Sequence, residues 1–223
     1  NCVANGKLLR EKVFDRLWIQ PAAGDAGGAL GAALGAYHGL LDQPRAPLRG
    51  PDRMNGSYLG PEYTDEDIVD RLTRCGAVFT RHDPDEALEL TARALAEGQA
   101  IGWLNGRMEF GPRALGGRSI LADPRSPSMQ KLLNLKVKYR ESFRPFAPSV
   151  LREDVAQWFE MDTDSPYMLL VADVAPAHRR EMSEAERALF GIDKLNVPRS
   201  SIPAVTHVDY SARVQTVSQG ANP

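Results

Sequence analysis

Residues 106–120, GRMEFGPRALGGRSI, place Arg107, Arg113 and Arg118 among Gly106, Gly111, Gly116 and Gly117. Guanidinium forks bind phosphate or carboxylate in a bidentate way. Glycines leave backbone N–H groups open to anionic oxygens. The chemistry open to this segment is therefore recognition of a phosphate or carboxylate. The surroundings agree. Residues 105–144 hold nine basic side chains against three acidic ones, in a chain of net charge −2. A basic island in an otherwise acidic chain attracts an anion. Lys138, Arg140 and Arg144 extend the basic set, and Ser119 can donate to a phosphate. Glu109 can orient one of the arginines or accept a ligand hydroxyl. Basic runs also form plain solvated faces, and Lys131 and Lys136, on an expected helix, read that way. The loop itself, with Phe110 and Leu115 between its arginines, reads better as folded back over the domain around an anion.

A second candidate wall is His207, Asp209 and Arg213 in PAVTHVDYSARVQTV. His207 also reads as an ordinary hydrogen-bonded structural histidine. The four histidines, His38, His82, His178 and His207, are isolated, and no HxxxH occurs. Two cysteines, Cys2 and Cys75, exclude a disulfide framework and a four-cysteine zinc site.

These groups need a scaffold, and 223 residues suggest one large domain or one and a half. The hydrophobic share of 43% and charged share of 25% are those of a folded globule. A pI near 6.1 excludes a uniformly basic nucleic-acid binder. No apolar run of about 18 residues suggests a membrane span, and residues 1–14 have no apolar core of a secretory signal. A cytoplasmic location is the resulting expectation. The chain opens on Asn1, inside what reads as a continuing element, and stops after a strand-like run at Pro223, so a piece of a longer polypeptide is expected.

Along the chain, Leu17–Ile19 reads as a strand. Asp25 then sits on a Gly-rich turn leading into a helix whose Gly27, Gly31 and Gly35 make one slim face, suited to close packing or to a ligand. Residues 46–61, dense in Pro and Gly, read as a linker. Thr64 caps a helix stopped by Gly76, and Asp83 caps one that starts at Pro84 and ends at Gly98. Strands are expected at 77–80, 100–104, 148–151, 167–174, 205–208 and 212–217. Helices are expected from Ser126 to Leu133, across 152–159 and across 183–190. Strands and helices without regular βαβ spacing predict an α+β domain.

The motifs GRMEFGPRALGGRSILADPR, VKYRESFRPFAPSVL and PAVTHVDYSARVQTV, with NCVANGKLL and PAAGDAGGALGAAL upstream, resemble the O-carbamoyltransferase family of nodulation-factor and antibiotic biosynthesis, over nearly the whole chain. The resemblance implies that residues 1–45 are the tail of an actin-like (ASKHA) carbamoyl-transfer domain. Residues 62–223 would then be an incomplete YrdC-like α+β domain. It implies an ATP-dependent carbamoyltransferase that forms carbamoyl-adenylate from carbamoyl phosphate and ATP and passes the carbamoyl group to a hydroxyl-bearing acceptor. Arg107, Arg113, Arg118, Lys138, Arg140 and Arg144 would cradle the reacting polyanions, with Glu109 beside them in the catalytic set and Ser119, His207, Asp209, Arg213 and Asn5 at the nucleotide. Asp25 would be one metal ligand beside two histidines outside the chain, the metal being iron or zinc; its alternative role is a helix cap. Four positions depart from the family pattern. Leu104-Asn105 replaces an aromatic-Gln pair, Gly117 stands where Asn is common, and Tyr210 stands where Gly is usual. A threonylcarbamoyl tRNA-modification protein and a non-catalytic YrdC-like RNA-binding module are the other readings, and the acidic remainder of the chain counts against RNA.

Overall fold

The computed structural model describes residues 1–48 and 52–220 and is a mixture of helix and sheet. The longer helices form where local signals are strongest. Helix α1 spans Cys2–Arg10, with the Asn1 side chain accepting from the Val3 and Ala4 N–H groups. Helix α2 spans Asp25–Gly35 and continues as a π-turn to Leu40. Helix α3 covers Asp65–Arg74 behind the Thr64 cap, and α4 covers Pro84–Ala96 behind the Asp83 cap. Both end as the sequence signals, at Gly76 and Gly98 with φ of +68° and +81°, where a side chain would be strained. The remaining helices are short: α5 Met129–Leu132, α6 Val155–Trp158, α7 Glu184–Ala188 and α8 Gly191–Leu195.

Five strands form two sheets. Strand β1 (Ile101–Leu104) pairs antiparallel with β2 (Arg118–Leu121), Trp103 opposite Ser119. Strand β5 (Ser211–Val217) lies between β3 (Ser149–Leu151), parallel to it, and β4 (Leu170–Asp173), antiparallel. The main core sits on this second sheet. Ala212 and Val214 of β5 and Leu170 and Ala172 of β4 pack against Val155, Phe159, Ile202 and Val205. Truncating a buried phenylalanine such as Phe159 to alanine costs about 3–5 kcal/mol. Helix α1 lies on β4, and a Cβ on Gly6 would come within 2.3 Å of the Val171 carbonyl oxygen. Only glycine permits that approach.

Several expected elements differ. Leu17–Ile19, 77–80 and 205–208 are not strands; the last begins with a 3-10 turn at Pro203–Val205. Each has strand-like composition but no neighbouring strand to take its backbone hydrogen bonds. Strand β2 was not expected, because its RSIL sequence lacks alternation. The helix expected from Ser126 begins at Met129, behind Ser128. Strand β4 is shorter than 167–174, because Tyr167 and Met168 turn away to other contacts and Met168 has a φ of +57°. Of the slim face on α2, only Gly27 is needed for packing: a Cβ there would meet the Ala22 carbonyl at 2.4 Å, whereas Gly31 and Gly35 face open space. In the linker, residues 49–51 lie outside the described residues. Residues 52–61 cross the domain, with Asp52 accepting from the Tyr167 hydroxyl at 2.8 Å. Among the described residues, no helix is long and apolar enough to cross a membrane.

Candidate functional site: an arginine-rich loop docked on the central strand

The loop joining β1 to β2 is built around Glu109, whose side chain is fully buried. One carboxylate oxygen accepts from the Leu115 N–H at 2.7 Å and the Gly117 N–H at 2.8 Å. The other accepts from Arg118 Nε at 3.0 Å, and the same guanidinium reaches the Gly111 carbonyl. Glu109 therefore orients an arginine, as one of its two expected roles has it, and its oxygens are taken up inside the loop. The glycines are structural here. Gly111 and Gly116 have φ of +102° and +127°. A Cβ on Gly117 would strike the Tyr58 ring at 2.6 Å, and one on Gly111 would strike Ala22 Cβ at 2.6 Å. The loop is thus clamped between the 52–61 crossing and the turn before α2.

The same loop is docked on β5. Side chains two apart on a strand share a face, and Arg213 and Gln215 lie on the face opposite the core. Gln215 is buried and donates to the Leu115 carbonyl. Two residues earlier on both segments stand Arg113 and Arg213. Burial holds the Arg213 pKa below its ordinary value; the Cys2 thiol works against this shift and the Arg113 charge adds to it. Arg213 donates through Nε to the Met168 carbonyl at 2.7 Å. Among the described residues, neither Arg113 nor Arg213 has an acidic partner within ion-pair distance. Asn5, one turn along α1 from Cys2, donates to the Leu169 carbonyl at 3.0 Å, just before β4. Arg113, Arg213 and the pair Cys2 and Asn5 thus lie on three segments, the loop, β5 and α1, that pack in one region. Two guanidinium groups on adjoining segments, neither with an acidic ion-pair partner among the described residues, suit an anion.

The other candidates are placed separately. Arg107 turns to the crossing segment, donating to the Gly60 carbonyl at 3.0 Å and Glu62 at 3.3 Å. Ser119 accepts the Gly116 N–H at 3.1 Å. Arg140 donates to Asn134 at 2.6 Å and lies over the Phe146 ring, and Arg144 pairs with Glu141 at 2.9 Å. Lys138 is exposed and has no polar partner among the described residues. Gln215, Asn134 and Tyr167 were not among the expected site residues. For Asn134 a signal existed: it is a lone amide in the apolar run LLNL.

His207 and Asp209 belong to one tight turn entering β5. Asp209 accepts from the Ser211 hydroxyl at 2.6 Å and N–H at 3.1 Å, with His207 at 3.5 Å. Burial alone would raise the Asp209 pKa; the Ser211 bonds and the His207 charge outweigh it and hold the carboxyl below its ordinary value. At the corner, Tyr210 has a φ of +66°, a left-handed backbone that glycine adopts freely. The strain is worth about 1–2 kcal/mol. The Tyr210 hydroxyl offsets part of it by donating to the Arg180 carbonyl at 3.2 Å, and Arg179 lies 5.8 Å from the ring centre. Tyr210→Phe is accordingly expected to lose about 0.5–1 kcal/mol in urea unfolding. Tyr210→Gly is expected to stay within about 1 kcal/mol of wild type, because strain relief offsets the lost contacts. A large loss in Tyr210→Gly would show that the side chain, not the backbone, holds the turn.

Asp25 is the first residue of α2 and is exposed. The helix-cap alternative does not hold, because Gly24 occupies the cap and no side chain caps the helix. Among the described residues, no three His, Cys, Asp or Glu side chains lie close enough to hold a metal ion. The groups present therefore do not make a metal centre around Asp25, and no catalytic step is drawn from one.

Comparison with known proteins gives the class. The family model for the carbamoyltransferase C-terminus matches residues 92–223, and the model for the carbamoyltransferase N-terminus matches residues 1–34. A Synechocystis protein, sll1178, is 57% identical over all of this chain. The nodulation protein NolNO of Sinorhizobium fredii is 42% identical, and the 3'-hydroxymethylcephem-O-carbamoyltransferase of Amycolatopsis lactamdurans 34%, again over all of this chain. The chain spans 36%, 30% and 36% of these curated relatives' own lengths. A loop of glycines and arginines closed by a buried glutamate, inside the segment that matches the C-terminal family model, thus sits in a chain that belongs to the carbamoyltransferase family.

Proposed function

We propose that this chain is part of an ATP-dependent O-carbamoyltransferase whose arginine loop binds carbamoyl phosphate and ATP for the formation of carbamoyl-adenylate. The observation that carries this reading is the uncompensated pair Arg113 and Arg213. Bringing two polyanions together costs electrostatic work, and preorganised positive charge offsets it where it is needed. In balanced form, carbamoyl phosphate, ATP and water give carbamoyl-adenylate, phosphate and pyrophosphate. A carbamate oxygen forms the new bond to the α-phosphorus, and pyrophosphate leaves with the electron pair of the broken bond. In the second step the acceptor hydroxyl attacks the carbamoyl carbon, AMP leaves, and the hydroxyl proton passes to a base. The acceptor is a small molecule or a glycan, by analogy with the relatives' names.

In this reading residues 62–223 form much of a YrdC-like domain and residues 1–45 the tail of an actin-like domain. Matches to both carbamoyltransferase family models, on either side of the 46–61 linker, support that division. Asp25 supplies one carboxylate to an iron or zinc ion whose imidazole ligands lie outside these residues, a donor set suited to either metal. Asp25→Ala is expected to lower the metal content of the full-length protein, read by elemental analysis; full occupancy would remove Asp25 from the ligands.

The direct test is pyrophosphate release. The full-length protein given ATP and carbamoyl phosphate should release pyrophosphate, and omission of carbamoyl phosphate should stop it. No carbamoyl-phosphate-dependent release would overturn the reading.

A further inference from the structure

The loop 138–144 carries three of the basic candidates, and its shape depends on one side chain outside it. Asn134 is fully buried at the end of the α5 segment. Its amide nitrogen donates to the Ser142 carbonyl at 3.0 Å and the Arg144 carbonyl at 2.8 Å. Its amide oxygen accepts from Arg140 Nε at 2.6 Å, and its backbone carbonyl accepts the Arg140 N–H at 2.9 Å. One residue thus holds the loop at Arg140, Ser142 and Arg144. Gln130, a turn earlier on the same segment, repeats part of this from the rim, donating to the Phe143 and Arg144 carbonyls at 3.2 Å each.

A buried amide with every one of these bonds made is costly to replace, because each lost donor leaves a carbonyl unpaired. Nothing about the apolar core requires an amide here; leucine fills a similar volume. The loop it organises is short, polar and largely exposed, with Tyr139 at a φ of +48°. Such a segment would sample many shapes without an anchor, and binding would then have to bear the ordering cost.

We infer that Asn134 is a positioning residue for a basic loop that meets the phosphate donor, presetting the backbone that carries Lys138, Arg140 and Arg144 before the donor arrives. The inference rests on the carbamoyl phosphate reading for the identity of the donor and on geometry alone for the loop. Asn134 touches no substrate; it acts through the three basic side chains.

The test uses Asn134→Asp and Gln130→Ala in the full-length protein. The aspartate keeps an oxygen for Arg140 and loses both donors to the loop carbonyls. The Gln130 change, on a half-exposed side chain, leaves folding safe and decides the matter if the aspartate variant does not fold. Two readouts do not depend on catalysis. Trypsin should cut the bonds after Lys138 and Arg140 faster in both variants. Affinity for inorganic pyrophosphate, by calorimetry, should fall about 10-fold or more in Asn134→Asp and about 3-fold in Gln130→Ala, the scale expected when a supporting group is lost. In turnover, KM for carbamoyl phosphate should rise by a similar factor with kcat within about 3-fold. A merely structural role would lower kcat through loss of folded enzyme and leave KM unchanged. Unchanged loop cleavage, or faster cleavage with unchanged pyrophosphate affinity, overturns the inference. Wild-type protein that binds no pyrophosphate overturns it as well. If wild type binds pyrophosphate but releases none from ATP with carbamoyl phosphate, the proposed function fails. A weakened Asn134→Asp then still upholds the positioning role.

Discussion

Arg113→Ala is expected to lower carbamoyl-phosphate-dependent pyrophosphate release at least about 100-fold, the usual cost of removing a preorganised charge from a polyanionic site. The protein should stay folded. Arg113 is exposed and makes no ion pair among the described residues, so its removal takes nothing from the fold. Stability should hold or rise slightly, because Arg213 loses a repelling neighbour. That opposite movement of activity and stability is what a charge held in place for a ligand predicts. Arg113→Lys keeps the charge but not the planar fork, and should recover only part of the rate. The measurement is a pyrophosphate-release assay beside a urea unfolding curve on the same samples. Unchanged turnover in Arg113→Ala would remove this arginine from the cradle.

Glu109→Ala should show the reverse pattern, with stability and activity falling together. Three donors converge on this buried carboxylate: two backbone N–H groups and the Arg118 guanidinium. Removing the acceptor leaves those donors without partners, and breaking a buried ion pair from one side costs about 3–5 kcal/mol. Arg118 is one-third exposed, so water reaches it and the lower end of that range applies. Glu109→Gln should fall between, since its amide oxygen still accepts the two N–H groups while its NH2 faces Arg118 as a second donor. Activity should follow loop order. The Arg113 segment hangs from the same turn, and a glycine-rich loop without its anchor does not hold a fixed charge. Equal stability of Glu109→Ala and wild type in urea would show that the loop is held by Gln215 and the crossing segment instead.

Much of this was legible from short-range chemistry. Thr64 and Asp83 cap α3 and α4 through bonds to residues three positions on, and Gly76 and Gly98 end them by adopting positive φ. Ser183 and Glu186 close a capping box in the same local way. These contacts span three or four residues, so sequence alone specifies them. The basic, glycine-rich composition of 106–120 was equally visible and pointed to an anion. Strands were less legible, because a strand needs a partner that local pattern does not name. Leu17–Ile19 and 77–80 have the composition and no partner, whereas Arg118–Leu121 lacks the pattern and pairs with Ile101–Leu104.

The roles inside the site were decided only by tertiary contact. Sequence left Glu109 between orienting an arginine and binding a ligand; its burial against Leu115, Gly117 and Arg118 decided for the first. The segments that carry Arg113 and Arg213, 100 positions apart, are brought side by side by the bond of Gln215 to Leu115. Asn134 looked like an exception in an apolar run and is the anchor of a basic loop. By itself the sequence determined which charges the protein carries and where the capped helices α3 and α4 begin and end, because those depend on neighbours along the chain. Which charges face one another, and which are neutralised in place, depended on contacts across the fold, because electrostatic and hydrogen-bond energies depend on distance in space and not on separation in sequence.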